Sequence, residues 1–167
     1  LTELFRTVHG SRLYGLNTPD SDYDQFIVTM EDNGKSSHRV DSSGRFDTVR
    51  VGWRTWLEHA ESGSHQSVEA LFSTRKTWSD GGGWLQPMVE NMYITGPDVI
   101  HKYKRTITKF CYGPFKKRRH AVRLSLNMRD LRWRGRFDPQ LTTAQIYYVN
   151  HMAQYEGGEL ADWLLND

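Results

Sequence analysis

Asp22, Asp24 and Asp47, with Gly10 and Ser11 upstream, hold most of the chemistry this sequence can offer. Asp22-Tyr23-Asp24 opens a β-prone run. Side chains on a strand alternate with period two, so the spacing predicts both aspartates on one face. Hard carboxylate oxygens suit Mg2+ or Mn2+, and a carboxylate cluster can bridge two ions about 3.5–4 Å apart that activate an attacking oxygen and steady a leaving pyrophosphate. A third acid from a neighbouring strand completes such a site. Asp47, in Phe46-Asp47-Thr48, is the first choice, and Asp41 and Glu69 are less favoured substitutes. Gly10 removes a side chain where a phosphate would approach the backbone, and Ser11 adds a hydroxyl and an amide at the start of a helix. Two aspartates near a turn are common on their own. A strand, Gly-Ser, a short helix, a Pro-containing loop and then Asp-x-Asp entering a second strand is a much rarer order.

The elements that must position these residues follow from pattern. Residues 4–8 form a short β-prone run that ends at Gly10, and Ser11 is placed to cap a helix over 12–16 before Asn17-Thr18-Pro19-Asp20 breaks it. Residues 23–30 read as a strand covered on both faces, because Phe26-Ile27-Val28 lacks alternation. The polar stretch 31–43, with Asn33-Gly34 and Ser42-Ser43-Gly44 as turn signals, reads as a surface loop or irregular hairpin before a strand at 46–51. Val51, Trp53, Trp56, Leu57 and Ala60 recur at helical spacing, and 68–72 is ambiguous between helix and strand. Gly81-Gly82-Gly83 reads as flexible punctuation between a mixed half, 1–80, and a helical half, 81–167. Beyond it, 84–92, 98–110 with Asp98 as cap, and 115–133 read as helices. In the last of these Ala121, Leu124, Met128 and Leu131 fall on one stripe. Thr142 or Thr143 caps the final helices, which Gly157-Gly158 interrupts before 160–165.

The run from His9 to Asp24, HGSRLYGLNTPDSDYD, resembles the signature of the DNA polymerase beta-like nucleotidyltransferase superfamily. It is most similar to the predicted nucleotidyltransferases associated with RNA ligases and their phage and bacterial relatives. Two weaker echoes lie in 63–72, containing Val68-Glu69-Ala70-Leu71-Phe72, and in the basic segment 117–123. The resemblance implies an α+β fold: a small mixed β-sheet core with helices on one side, followed by a C-terminal helical region that closes over the nucleotide. It further implies that Gly10 and Ser11 hold a triphosphate and that Asp22 and Asp24 ligate metal, with Asp47 completing the set.

Lys116, Lys117, Arg118, Arg119, Arg123, Arg129, Arg132, Arg134 and Arg136 make the later helix strongly basic. For most of them a solvated face is the ordinary account. A subset could neutralise a triphosphate or track a nucleic-acid backbone, and His120 and Arg123, three apart on one face, are the preferred phosphate contacts. Arg12, next to the turn, is a further candidate. The six Trp default to core packing, and His59 and His65 lack a metal-binding spacing. A hydrophobic share of 37%, with 13% aromatic, supports a sizeable core. The single Cys111 excludes an internal disulfide and multi-cysteine zinc, and reads as buried filler. No apolar run approaches the roughly 20 residues that span a bilayer and no charged-then-apolar leader is seen, so a cytoplasmic location is expected, the host cytoplasm if the chain is phage-encoded.

The expected activity is transfer of a nucleoside monophosphate from an NTP to a hydroxyl with Mg2+ or Mn2+ as cofactor, and RNA or DNA is an expected acceptor through the basic helix. Two alternatives fit the same residues: a catalytically silent nucleotide- or RNA-binding module, and a partner-neutralising protein of a two-component defence system. The direction in which Asp47 points separates the first alternative from the enzyme.

Overall fold

The computed structural model describes residues 1–166, so the last residue of the predicted helical half lies outside the described residues. The fold is α+β. Strands β1 (Glu3–His9), β2 (Tyr23–Thr29), β3 (Ser36–Val40), β4 (Phe46–Gly52) and β5 (Lys76–Trp78) form one mixed sheet in the order β3-β4-β2-β1-β5. β2 runs antiparallel to β1 but parallel to β4, and this is the pairing that matters for chemistry, since it aligns Asp24 with Asp47. To enter parallel to β2, the chain first runs out along β3 at the sheet edge and turns back. Asp41 makes that turn by accepting from Ser43 Oγ and the amides of Arg45 and Phe46. Asp41 is therefore a turn-former at the surface and not a substitute third carboxylate.

The helices are α1 (Ser11–Tyr14), α2 (Trp53–Glu61), α3 (His65–Phe72), α4 (Gln86–Glu90), α5 (Pro97–Cys111), α6 (Phe115–Arg134), α7 (Thr143–Met152) and α8 (Gly157–Leu165). Among the described residues none is long and apolar enough to cross a membrane. α7 carries the predicted Thr142 cap in full: its hydroxyl accepts from the Gln145 amide while the Gln145 side chain accepts from the Thr142 amide. One apolar cluster runs from Leu4 and Phe5 in β1 through Trp56, Leu71, Tyr103, Ile107 and Leu124 to Leu160, so sheet and helices share a core.

Several expectations change in the structure. The stretch 31–43 contains an edge strand, β3, exposed at every residue, which has no apolar face to betray it. Residues 68–72 belong to α3, and three-residue β5 is too short to carry a period. The cap positions of α1 and α5 are held by Gly10 and Gly96, without a side-chain bond from Ser11 or Asp98. Gly157 and Gly158 begin α8 and do not interrupt a helix. α6 is not a one-stripe amphipathic helix: Val122, Arg123, Ser125 and Asn127 are buried beside the predicted stripe, because α5, α7 and α8 all pack on it. Cys111 is fully buried, and burial pushes its thiol up to about 11, which suits a packing role.

The glycine run is not slack. Asp80–Gly82 forms a single 3₁₀ turn, and Gly82 is buried with no room for a Cβ, which would fall 2.2 Å from the Leu4 carbonyl oxygen. Gly82→Ala should therefore force the turn off β1 and cost about 1–3 kcal/mol. A lowered midpoint in a thermal melt followed by circular dichroism, beside an unchanged Gly83→Ala control, checks this.

Candidate active site

β1 delivers the chain to Gly10, whose φ of 65° and ψ of −154° lie in a region essentially reserved for glycine. A Cβ there would sit 2.0 Å from Asp24 Oδ2. Gly10 thus lets the carboxylate of β2 lie directly against the turn. The loop that follows is held by Arg12, which donates from Nε to the Asp22 carbonyl (3.2 Å) and from Nη2 to the Ser21 carbonyl (2.8 Å). Its guanidinium also lies 3.8 Å over the Tyr23 ring, which stacks on Phe46 of β4. The structure thus uses Arg12 as the brace of the loop carrying Asp22.

Gly10, Ser11, Asp22, Asp24 and Asp47 all line one cavity of about 810 Å3. Asp22 stands just before β2 and is exposed; Asp24 is half-buried within it. Burial, then the neighbouring charges of Asp47 and Asp22, raise the Asp24 carboxyl above its ordinary value. Such mutual repulsion is what a divalent cation relieves, and an all-oxygen set suits Mg2+ or Mn2+. As the side chains stand, however, no three acidic, histidine or cysteine residues among the described ones converge to hold a metal. Asp47 Oδ1 is instead paired with His38 Nε2 from β3. In the β3–β4 register His38 faces Val49, so Asp47 is its diagonal neighbour on the same face. These carboxylate oxygens are the donor type a hard cation takes, and Asp47 would have to leave His38 to join such a set. Glu69, the other substitute considered, is buried away from this group and committed to Arg123.

The opposite wall comes from the start of α6. Lys116 and Lys117 are exposed and line the cavity, and Arg119 joins them while donating to the Leu16 carbonyl at 3.2 Å. These three were legible only as members of the basic run. The two residues singled out there are placed differently. Arg123 is 1% exposed, ion-paired with Glu69 and stacked 3.5 Å over the Tyr14 ring, and Tyr14 donates its hydroxyl to the same carboxylate. Its charge is neutralised internally even though it reaches the cavity floor. His120 has its ring 3.3 Å from Arg123, and burial, then the arginine's charge, push it down to about 3, so it is neutral at ordinary pH. His9 and His65 complete the floor. Burial lowers both, His9 to about 4, and the Nδ1 of His9 has no hydrogen-bond partner. The sequence gives no local sign that His9 belongs to the site beyond its place beside Gly10.

The result is a chamber with carboxylates on the sheet side, cations on the α6 side and a neutral, imidazole-rich floor. Its size is within the roughly 300–1,000 Å3 of small-molecule sites.

No family model matches the chain. No curated protein matches it either. Solved structures similar to it include a nucleotidyltransferase-like protein from Exiguobacterium sibiricum 255-15, at 10% identity and a TM-score of 0.37, with 92% of this chain and 60% of that one covered. The chain thus spans 60% of the length of that protein.

Proposed function

We propose that this chain is a metal-dependent nucleotidyltransferase that moves a nucleoside monophosphate from an NTP to a hydroxyl, with an RNA or DNA end as acceptor. The observation that carries the reading is the in-register placement of Asp24 and Asp47 on parallel strands, with Asp24 against the Gly10 turn and a cationic helix end across the same cavity. Mg2+ or Mn2+ held by Asp22, Asp24 and Asp47 would supply charge neutralisation at the reacting phosphate and its leaving pyrophosphate. Gly10 leaves the backbone open to phosphate oxygens, and Ser11 offers its amide and hydroxyl beside it. Lys116 and Lys117 neutralise the far phosphates, a contribution made by position and charge without proton transfer. His9, His65 and His120 stay neutral and keep the chamber floor from competing for the triphosphate. Asp47 must let go of His38 when the carboxylates gather.

The test is incubation with each labelled NTP, Mg2+ or Mn2+, and RNA, DNA or protein acceptors, comparing wild type with Asp22→Asn, Asp24→Asn and Asp47→Asn. Each substitution is expected to lower label transfer by more than the roughly 10- to 100-fold that losing an outer-shell partner costs a metal site. Transfer that persists in Asp24→Asn sinks the assignment. The His38–Asp47 pair favours one other reading, a nucleotide-binding module without turnover. It predicts NTP-dependent thermal stabilisation with no transfer to any acceptor.

A further inference from the structure

We propose that the C-terminal end of α6 is a separate binding site for single-stranded nucleic acid, in which a base stacks on Trp133 while Arg132 and Arg136 meet backbone phosphates. The proposal extends the reading of a nucleic-acid acceptor but does not use the carboxylates. A second cavity of about 520 Å3 lies between α6 and α8, with Met128, Leu164 and Leu165 as its apolar floor and Arg129, Arg132 and Trp133 among its walls. Trp133 is 83% exposed. An indole left in water serves no packing purpose, and beside an apolar recess it is a platform for another flat ring.

Charge decides which ring. Between 129 and 136 stand four arginines and one aspartate, and that aspartate, Asp130, pairs with Arg134 at 3.3 Å. Arg132 is exposed at the recess, and Arg136 lies 5.2 Å over the exposed ring of Tyr93. Two arginines and no carboxylate among the described residues lining an apolar slot suit a ligand whose flat face is apolar and whose backbone is anionic, and arginine both stacks and grips phosphate. Duplex hides its base faces, so it is single strands that the slot fits. Lys117 and Trp133 stand sixteen helical steps apart, about 24 Å at 1.5 Å per residue, so this site is not the rim of the first cavity.

The experiment is fluorescence anisotropy with labelled oligouridylate and oligoadenylate about ten nucleotides long, within the ~4–16 nucleotides of known single-strand sites, and a duplex control. Single strands should bind more tightly than duplex. Trp133→Ala should weaken binding about tenfold, and Trp133→Phe should restore most of it. Arg132→Ala should weaken binding and flatten the salt dependence by about 0.7 in log–log slope, the share of one phosphate. Both side chains are exposed, so the fold should tolerate these changes, which circular dichroism checks. Single-strand binding by wild type that transfers no label to any acceptor would fault the cavity reading alone, and label transfer by a protein that binds no oligonucleotide would fault this site alone. The proposal is overturned if Trp133→Ala and Arg132→Ala bind as wild type, if no oligonucleotide binds at low salt, or if Trp133 governs self-association in sedimentation instead.

Discussion

Gly10→Ala should abolish label transfer and also lower the thermal midpoint, the larger combined effect expected of any single methyl group in the chain. Two costs coincide there. The backbone conformation, φ 65° and ψ −154°, is disfavoured for any L side chain by about 1–3 kcal/mol. The added Cβ also falls 2.0 Å from Oδ2, 2.9 Å from Cγ and 3.1 Å from Cβ of Asp24. A longer side chain could bend its tip aside; an aspartate contacted along its whole length must change rotamer and carry its carboxylate out of line with Asp47. The two costs can be separated. In Gly10→Ala/Asp24→Ala the two closest contacts are gone, leaving the 3.1 Å approach of the two Cβ atoms, while the dihedral cost remains, so the double variant should be more stable than the sum of the single variants predicts. Strict additivity in thermal melts would mean that Asp24 does not rest against the turn.

Much of this site was legible because its signals are local. A glycine at a strand end and two aspartates entering the next strand lie within fifteen residues, and β1, β2, β4, α5 and α6 all announce themselves by period or apolar content. What was hidden is non-local or featureless. β3 is exposed at every residue and flanked by turn signals, so nothing distinguished it from loop, and with it went the His38–Asp47 pair. Arg123 read as one cation in a basic run. Its partner Glu69 lies 54 positions earlier on another helix, and only the packing of α3 against α6 converts a surface type into a buried one. Arg12 was drawn to the phosphate turn by adjacency along the chain, whereas its length carries it to the carbonyls of Ser21 and Asp22. The helix boundary at Gly96 went astray because a side-chain cap at Asp98 was assumed where a glycine backbone suffices, and the one at Gly157 because a pair of glycines was read as a break.

Glu69→Gln should be among the most destabilising substitutions in the chain although it removes no volume. Glu69 and Arg123 are 0% and 1% exposed, and the carboxylate also accepts from Tyr14, so α1, α3 and α6 meet at one charge pair. Removing one member leaves the other charged and out of water, a loss of about 3–5 kcal/mol. Glu69→Leu with Arg123→Met, which removes both charges, should recover much of that. Acid adds a second signature. His9 and His120 are pushed by burial from 6.5 down to about 4 and about 3, so the unfolded chain takes up protons that the folded chain refuses. The stability they carry is complete above pH 6.5 and drains as pH falls through those lower values; for fully buried His9 it amounts to roughly 3 kcal/mol. In Glu69, burial alone would raise the carboxyl, but Arg123, His65, His9 and the Tyr14 bond outweigh it and hold it at about 2, so its share is present above pH 4.5 and goes last. Thermal midpoints measured against pH should therefore fall in two stages in wild type, the histidine stage first. Glu69→Gln should keep the histidine stage and lose the later one. A wild-type midpoint that is flat from pH 7 to pH 4 would show that His9 and His120 are not held neutral inside, and that the chamber floor is wetter and more charged than its packing implies.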